Sequence, residues 1–221
     1  NNLGVFSIDT GKMTMRLDDV SKSAISPDEK NIFVVSNENN ETFYSLWDIT
    51  SGERLHNFKG HGKWIKSIEF SPHGDKILIT DSDGTILWDI AAEARLWTFV
   101  NEEVNSVVFS PDGNSILTCS NDKTAVIRDI ATMDRLQTFE GHRKIVNTAV
   151  FSPDGSLVLT GSDDNTAILW DRETGNRLQI FEGHSNGVKS VIFSPDGKSV
   201  ITNSYDFYDH TVILWNITRG Q

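Results

Sequence analysis

An all-β fold made of a repeated four-stranded unit is what this sequence predicts, and three observations carry the prediction. A Ser-Pro pair recurs at Ser26-Pro27, Ser71-Pro72, Ser110-Pro111, Ser152-Pro153 and Ser194-Pro195, at spacings of 45, 39, 42 and 42 residues. A second marker runs in phase with it, at Trp47-Asp48, Trp88-Asp89, Arg128-Asp129, Trp170-Asp171 and Trp215-Asn216, and a Gly-His pair precedes three of the units at Gly60-His61, Gly141-His142 and Gly183-His184. Self-similarity at a period of about 20 to 50 residues is the signature of stacked units, none of which buries its apolar face alone. Third, short runs rich in β-branched and aromatic residues alternate with turn chemistry throughout, with no sustained helical period.

Taken in order, residues 3–17 read as two strands ahead of the first full unit. Units follow at about 20–58, 61–99, 104–139, 142–181 and 184–217, read together as a single domain over residues 1–221. The fourth unit shows the pattern most cleanly, with "VNTAVF", "SLVLTG", "TAILWD" and "RLQIF" as its four strands. The "SPDG" between the first two is a turn with a mechanism. Proline presets φ at the second turn position, and glycine accepts the positive φ that follows. "DITSG" and "DRETG" close a second hairpin in the same way.

Composition narrows the function. A net charge of −11 and a pI near 4.9 repel a phosphate backbone, which is met by clustered Lys and Arg, so nucleic acid is not an expected ligand. The single cysteine, Cys119, cannot form an internal disulfide, and no apolar run approaches the roughly 20 residues of a membrane helix. The expectation is a soluble, cytoplasmic protein that does not engage membranes.

With these residues in view, the chain resembles the Trp-Asp (WD) repeat family, whose units form four-stranded antiparallel blades of a β-propeller. The resemblance covers almost the whole chain. It implies a hydrogen-bonded chain in each blade, in which Trp, a hydroxyl, His and Asp tie outer strands to inner ones. An indole N–H only donates, so it needs a hydroxyl acceptor, and His needs an acceptor to fix its tautomer. Carried over residue by residue, the chain is His61, Ser82, Asp83 and Trp88 in blade two. It is His142, Ser162, Asp164 and Trp170 in blade four, and His184, Ser204, Asp209 and Trp215 in blade five. Blades one and three depart from the pattern, with Asp18-Asp19 and Val100-Asn101 where Gly-His is expected and Arg128 where Trp is expected. Their hairpins are expected to open more easily.

A Ser, a His and an Asp in one unit also suggest a hydrolase triad. A catalytic constellation is normally single, whereas this one is stamped out in several units, so repetition favours the structural role and no enzyme is expected. No metal-ligand spacing and no phosphate-binding or dinucleotide glycine pattern occurs, and no cofactor is expected.

Function is then expected on the loops of a rigid scaffold. The Gly-His loops and the turns before the Trp strands share one face in this architecture. It offers Lys63, Trp64, Glu103, Arg143, Lys144 and Asn186 as partner contacts. The inserted "YDFYDH" at 205–210 adds Tyr205, Phe207 and Tyr208, since exposed aromatics beside charge are enriched at interfaces. The expected function is a non-enzymatic scaffold that binds protein or peptide partners. The alternatives are a sensor or regulatory region of a larger multidomain protein and, with loops too unlike one another to favour it, a carbohydrate-binding propeller. Five repeats fit either a closed five-blade ring or part of a larger one. Residues 3–17 belong either to a preceding blade or to closure of the last, through residues 13–17.

Overall fold

The computed structural model describes residues 3–6, 13–17, 19–38, 41–59, 65–81, 83–100, 104–205 and 210–217. The chain divides into two compact units, Asn1–Asn101 and Glu102–Gln221. Every regular element among the described residues is a strand.

In the first unit, β1 (Leu3–Phe6) and β2 (Met13–Leu17) form an antiparallel hairpin. The first four-stranded sheet follows, from β3 (Val20–Ile25), β4 (Asn31–Glu38), β5 (Glu41–Asp48) and β6 (Arg54–Lys59). The second sheet holds β7 (Ser67–Phe70), β8 (Lys76–Thr80), β9 (Gly84–Asp89) and β10 (Ala94–Val100).

In the second unit, the third sheet is built from β11 (Val104–Phe109), β12 (Ser115–Ser120), β13 (Thr124–Asp129) and β14 (Arg135–Glu140). The fourth sheet comprises β15 (Val146–Phe151), β16 (Leu157–Ser162), β17 (Thr166–Asp171) and β18 (Arg177–Glu182). A three-stranded fifth sheet holds β19 (Val188–Phe193), β20 (Ser199–Ser204) and β21 (Val212–Asn216). Each sheet is a meander in sequence order, as short turns between consecutive strands dictate.

Residues 13–17 pair with β1, Leu3 opposite Leu17. Leu3 and Leu17 pack, like Trp47, on Val20, Ile32 and Val34 of the first sheet, so the β1–β2 pair lies against that sheet. Among the described residues β21 has β20 as its neighbour.

The apolar pattern follows from sheets lying face to face. The whole of β16 is buried, and its sequence is a near-continuous apolar and hydroxyl run, while β15 is partly buried and β18 mostly exposed. Sheets three and four share a core around Leu117, Phe139, Val158 and Trp170, and sheets four and five share one around Leu159, Phe181, Val188 and Val200. In the first unit Phe33, Tyr44, Leu46, Ile77 and Ile79 join sheets one and two. Each such large side chain contributes about 1.5–3 kcal/mol on leaving water.

The Ser-Pro turns carry their own lock. In the fourth sheet Ser152 Oγ donates to Asp154 Oδ1 at 2.6 Å and accepts the Leu157 N–H at 2.9 Å, and Gly155 closes the turn at φ +72°.

Candidate functional site

Turns and Gly-His loops of sheets four and five bring the predicted polar residues together. Facing of i and i+2 residues along β16 puts Thr160 and Ser162 on one side of the strand, toward the indole of Trp170 on β17. Trp170 Nε1 donates to Thr160 Oγ1 at 2.9 Å, and His142 Nε2 lies 2.7 Å from the same oxygen. His142 Nδ1 meets Asp164 Oδ2 at 2.9 Å. A carboxylate only accepts, so Nδ1 carries the proton and Nε2 accepts from the threonine hydroxyl. The relay runs in one direction from indole to hydroxyl to imidazole to carboxylate.

The hydroxyl in this relay is Thr160, where the sequence reading places Ser162. Ser162 lies one step nearer the loop. Its Oγ donates to the Lys144 carbonyl at 3.2 Å and accepts the Asp164 N–H at 3.1 Å, so it braces the turn. The fifth sheet repeats the arrangement: Trp215 Nε1 donates to Thr202 Oγ1 at 2.7 Å, and His184 bridges Thr202 and Thr211, each at 2.7 Å. Thr211 stands in the acceptor position for which the sequence reading has Asp209, which lies outside the described residues. Ser204 is buried, away from this relay. A signal in the sequence marks the missed residue, because Thr118, Thr160 and Thr202 recur eight residues after the last three Ser-Pro serines.

In the second sheet His61 and Ser82 lie outside the described residues. There Thr80 Oγ1 and Thr85 Oγ1 are 3.0 Å apart, and Arg95 stacks over the Trp88 ring at 5.7 Å. The acid that organises its turn is the buried Asp81, which accepts the N–H groups of Asp83 and Gly84 at 2.8 and 3.0 Å. Asp83 itself is exposed, because the turn is one residue shorter than in sheet four. In the third sheet Arg128 Nη1 donates to the Met133 carbonyl at 3.3 Å, so the residue replacing Trp ties its own hairpin.

Threonine, imidazole and carboxylate in series have the order of a nucleophile relay. The geometry of Thr160 argues for structure: it is 0% exposed, and the indole N–H already occupies its oxygen. Burial pushes the His142 imidazole below its ordinary 6.5, against the pull of Asp164. Burial also raises Asp164, but hydrogen bonds from Thr166, the Arg143 N–H and His142 outweigh it and hold the carboxyl below 3.8. Burial pushes the Cys119 thiol up to about 12, which leaves it without nucleophilic thiolate near neutral pH.

The same polar residues join the loops. Arg143 N–H donates to Asp164 Oδ2 at 2.8 Å, which ties loop 141–145 to turn 163–166. Asn165 Nδ2 reaches the Ser185 carbonyl at 3.2 Å, and His184 holds Thr211, so the surface continues through loop 183–187 to Thr211. On it Arg143 and Lys144 are exposed, while Asn186 is half-buried and caps Gly187. Tyr205 is 69% exposed, with its ring edge-on to His210 at 4.9 Å. Lys63, Trp64, Glu103, Phe207 and Tyr208 lie outside the described residues.

Sequence reasoning also missed a pair of asparagines. Asn105 Nδ2 donates to the Val146 carbonyl of the next sheet at 2.9 Å, and Asn147 Nδ2 does the same to Val188 at 3.0 Å. Their recurrence after the first valine of β11 and β15 is the mark that identifies them.

Three curated proteins are similar to parts of the chain. The DENN domain and WD repeat-containing protein SCD1 of Arabidopsis thaliana is 37% identical over 68 residues, 31% of this chain and 5% of that protein. Transcription initiation factor TFIID subunit 5 of Caenorhabditis elegans is 27% identical over 73 residues, 33% and 11% of the respective lengths. Pre-mRNA-processing factor 19 homolog 2 of Arabidopsis thaliana is 26% identical over 89 residues, 40% and 16%. The matched segments are a small fraction of each relative's length. The WD domain, G-beta repeat model matches residues 52–89, 95–129, 133–171 and 175–216. These spans begin on an outer strand and end on the third strand of the next sheet, one strand out of step with the sheets themselves. They cover well over half of the chain, which belongs to the WD domain, G-beta repeat family.

Proposed function

We propose that this protein is a non-enzymatic scaffold that holds protein or peptide partners on the connected loop face of sheets four and five. The observation that carries the reading is Tyr205, an aromatic ring 69% exposed and edge-on to His210, which neighbours the Thr211 held by His184. An aromatic group on a rigid support loses little conformational entropy on binding, and such residues dominate interface energetics. Arg143 and Lys144 supply exposed positive charge on the same face of a chain whose net charge is −11, which favours a partner with an acidic segment. A cytoplasmic site of action and a five-blade or larger propeller ring belong to this proposal.

The test is chemical cross-linking of partners to the wild-type chain and to a triple variant with Tyr205→Ala, Arg143→Ala and Lys144→Ala. Loss of the cross-linked species, with an unchanged urea midpoint, is expected. Undiminished capture by the folded variant overturns the assignment of this face.

A second reading is supported by the relatives. One of them is named for a DENN domain beside its WD repeats, and the matched segments amount to 5–16% of the three proteins. On that reading these sheets are the docking or sensing region of a longer chain.

A further inference from the structure

The first sheet departs from the fourth in a way that opens a space. In the fourth sheet the imidazole of His142 fills the wedge bounded by Thr160, Thr166 and Trp170. Strand register places Val34, Phe43 and Trp47 of the first sheet at those three positions. No Gly-His segment precedes this sheet; the short link Asp18-Asp19 leads from β2 into β3. Trp47 turns its N–H to Ser45 Oγ at 2.8 Å instead. The wedge, left without an imidazole, is a cleft of about 360 Å³ between the β1–β2 hairpin and the sheet.

Its lining is one-sided in chemistry. Arg16 comes from the hairpin and Arg54 from β6, and Ser36, Ser45 and Asn57 add hydroxyl and amide groups. Among the described lining residues none is a carboxylate, although acids outnumber bases 31 to 20 in the chain. Ser45 already accepts the indole N–H, and its own O–H and that of Ser36 have no acceptor among the described residues. Arg54 lies over the Trp47 ring at 5.7 Å, a contact that holds the guanidinium plane while leaving its edge donors free to point sideways. Leu17, Val34, Phe43 and Trp47 form the apolar wall.

We propose that this cleft binds a carboxylate carried on a small apolar body, the carboxylate meeting Arg16, Arg54 and the two serine hydroxyls and the body resting on Trp47. A guanidinium fork matches a planar carboxylate with two parallel hydrogen bonds, and a cleft of this size suits a single small group. The group is either a free organic acid or the end of a peptide that finishes in an aromatic residue with a free carboxyl. The site is separate from the loop face of sheets four and five and does not depend on it.

The experiment follows the indole ¹⁵N–H resonance of Trp47, assigned by its loss in Trp47→Phe, in the intact chain. The probes are phenylacetate, its neutral isostere phenylacetamide, and a short Phe-terminated peptide as free acid and as amide. Saturable shifts with the acids are expected, with the amides weaker by about tenfold or more, since a charge-assisted hydrogen bond is lost. Arg16→Gln and Arg54→Gln should each weaken acid binding by a similar factor. Arg16→Gln lies on the hairpin and keeps the test valid if Arg54→Gln disturbs the stack on Trp47. A tighter fit of the peptide acid than of phenylacetate identifies a chain terminus as the source, and the reverse identifies a free acid. Equal binding of acid and amide, no shift from either acid at millimolar concentration, or undiminished binding by folded Arg16→Gln overturns the proposal.

Discussion

The Thr160 hydroxyl serves two partners that are both sealed from water, the Trp170 indole and the His142 imidazole. Replacing it with the isosteric valine leaves a buried donor and a buried acceptor without partners, each costing about 1–3 kcal/mol. Thr160→Val is therefore expected to lower unfolding free energy by about 3 kcal/mol, and Ser162→Ala, which frees one carbonyl and one N–H of a turn, by about 1 kcal/mol. Urea unfolding of the two variants measures the difference; equal losses would place the relay hydroxyl elsewhere. The charge state of the relay sets a pH dependence. His142 has a folded pKa below its ordinary 6.5, so the fold prefers the neutral ring, and this stability is complete above 6.5 and drains away as pH falls below it. Asp164 has a folded pKa below 3.8, so its contribution holds above 3.8 and is lost as pH falls through the lower folded value. The urea midpoint should decline between about pH 7 and 5 and again below about 4, and His142→Gln should remove the first decline. A midpoint that rises on acidification to about pH 5 would contradict a buried neutral imidazole.

At the scale of the strand, packing between sheets four and five rests on an absent side chain. A Cβ on Gly161 would stand 2.8 Å from Val188 Cγ1 and 3.0 Å from both Thr148 Cγ2 and Val191 Cγ1. These are branched core atoms with no room to retreat, so Gly161→Val is expected to cost about 3 kcal/mol of stability, read from chemical denaturation. The third sheet carries Cys119 at the equivalent place, buried in a core with Val146 and Ala149, where the smaller alanine stands at the position of Val191. The strands themselves were legible because their turns announce them. Serine, proline and glycine each have a separate task in a turn such as 152–155, and together they leave little freedom in where β15 ends and β16 begins. Choosing between Thr160 and Ser162 was harder, since both face the same side of β16. Only the register of Trp170 opposite Val158 decides which hydroxyl the indole reaches.

For the whole molecule, the repeat period and the departures of units one and three from it were readable in the sequence, whereas the space that a departure opens was not. The cleft at Arg16 and Arg54 comes from a histidine loop that is missing, and a missing loop in a degenerate repeat looks like ordinary drift until the space it leaves is seen. The markers continue in phase across the boundary between the two compact units near residue 101. The asparagine bonds between sheets have a bearing on ancestry. Asn105 and Asn147 each reach forward one full period, and each is received by a backbone carbonyl. A receiving strand needs no matching side chain. When a gene segment of one period is copied in tandem, the copy therefore brings its own amide and offers its own carbonyl, and both new junctions are made at once. Such an array can gain or lose single copies without a compensating mutation in the neighbour.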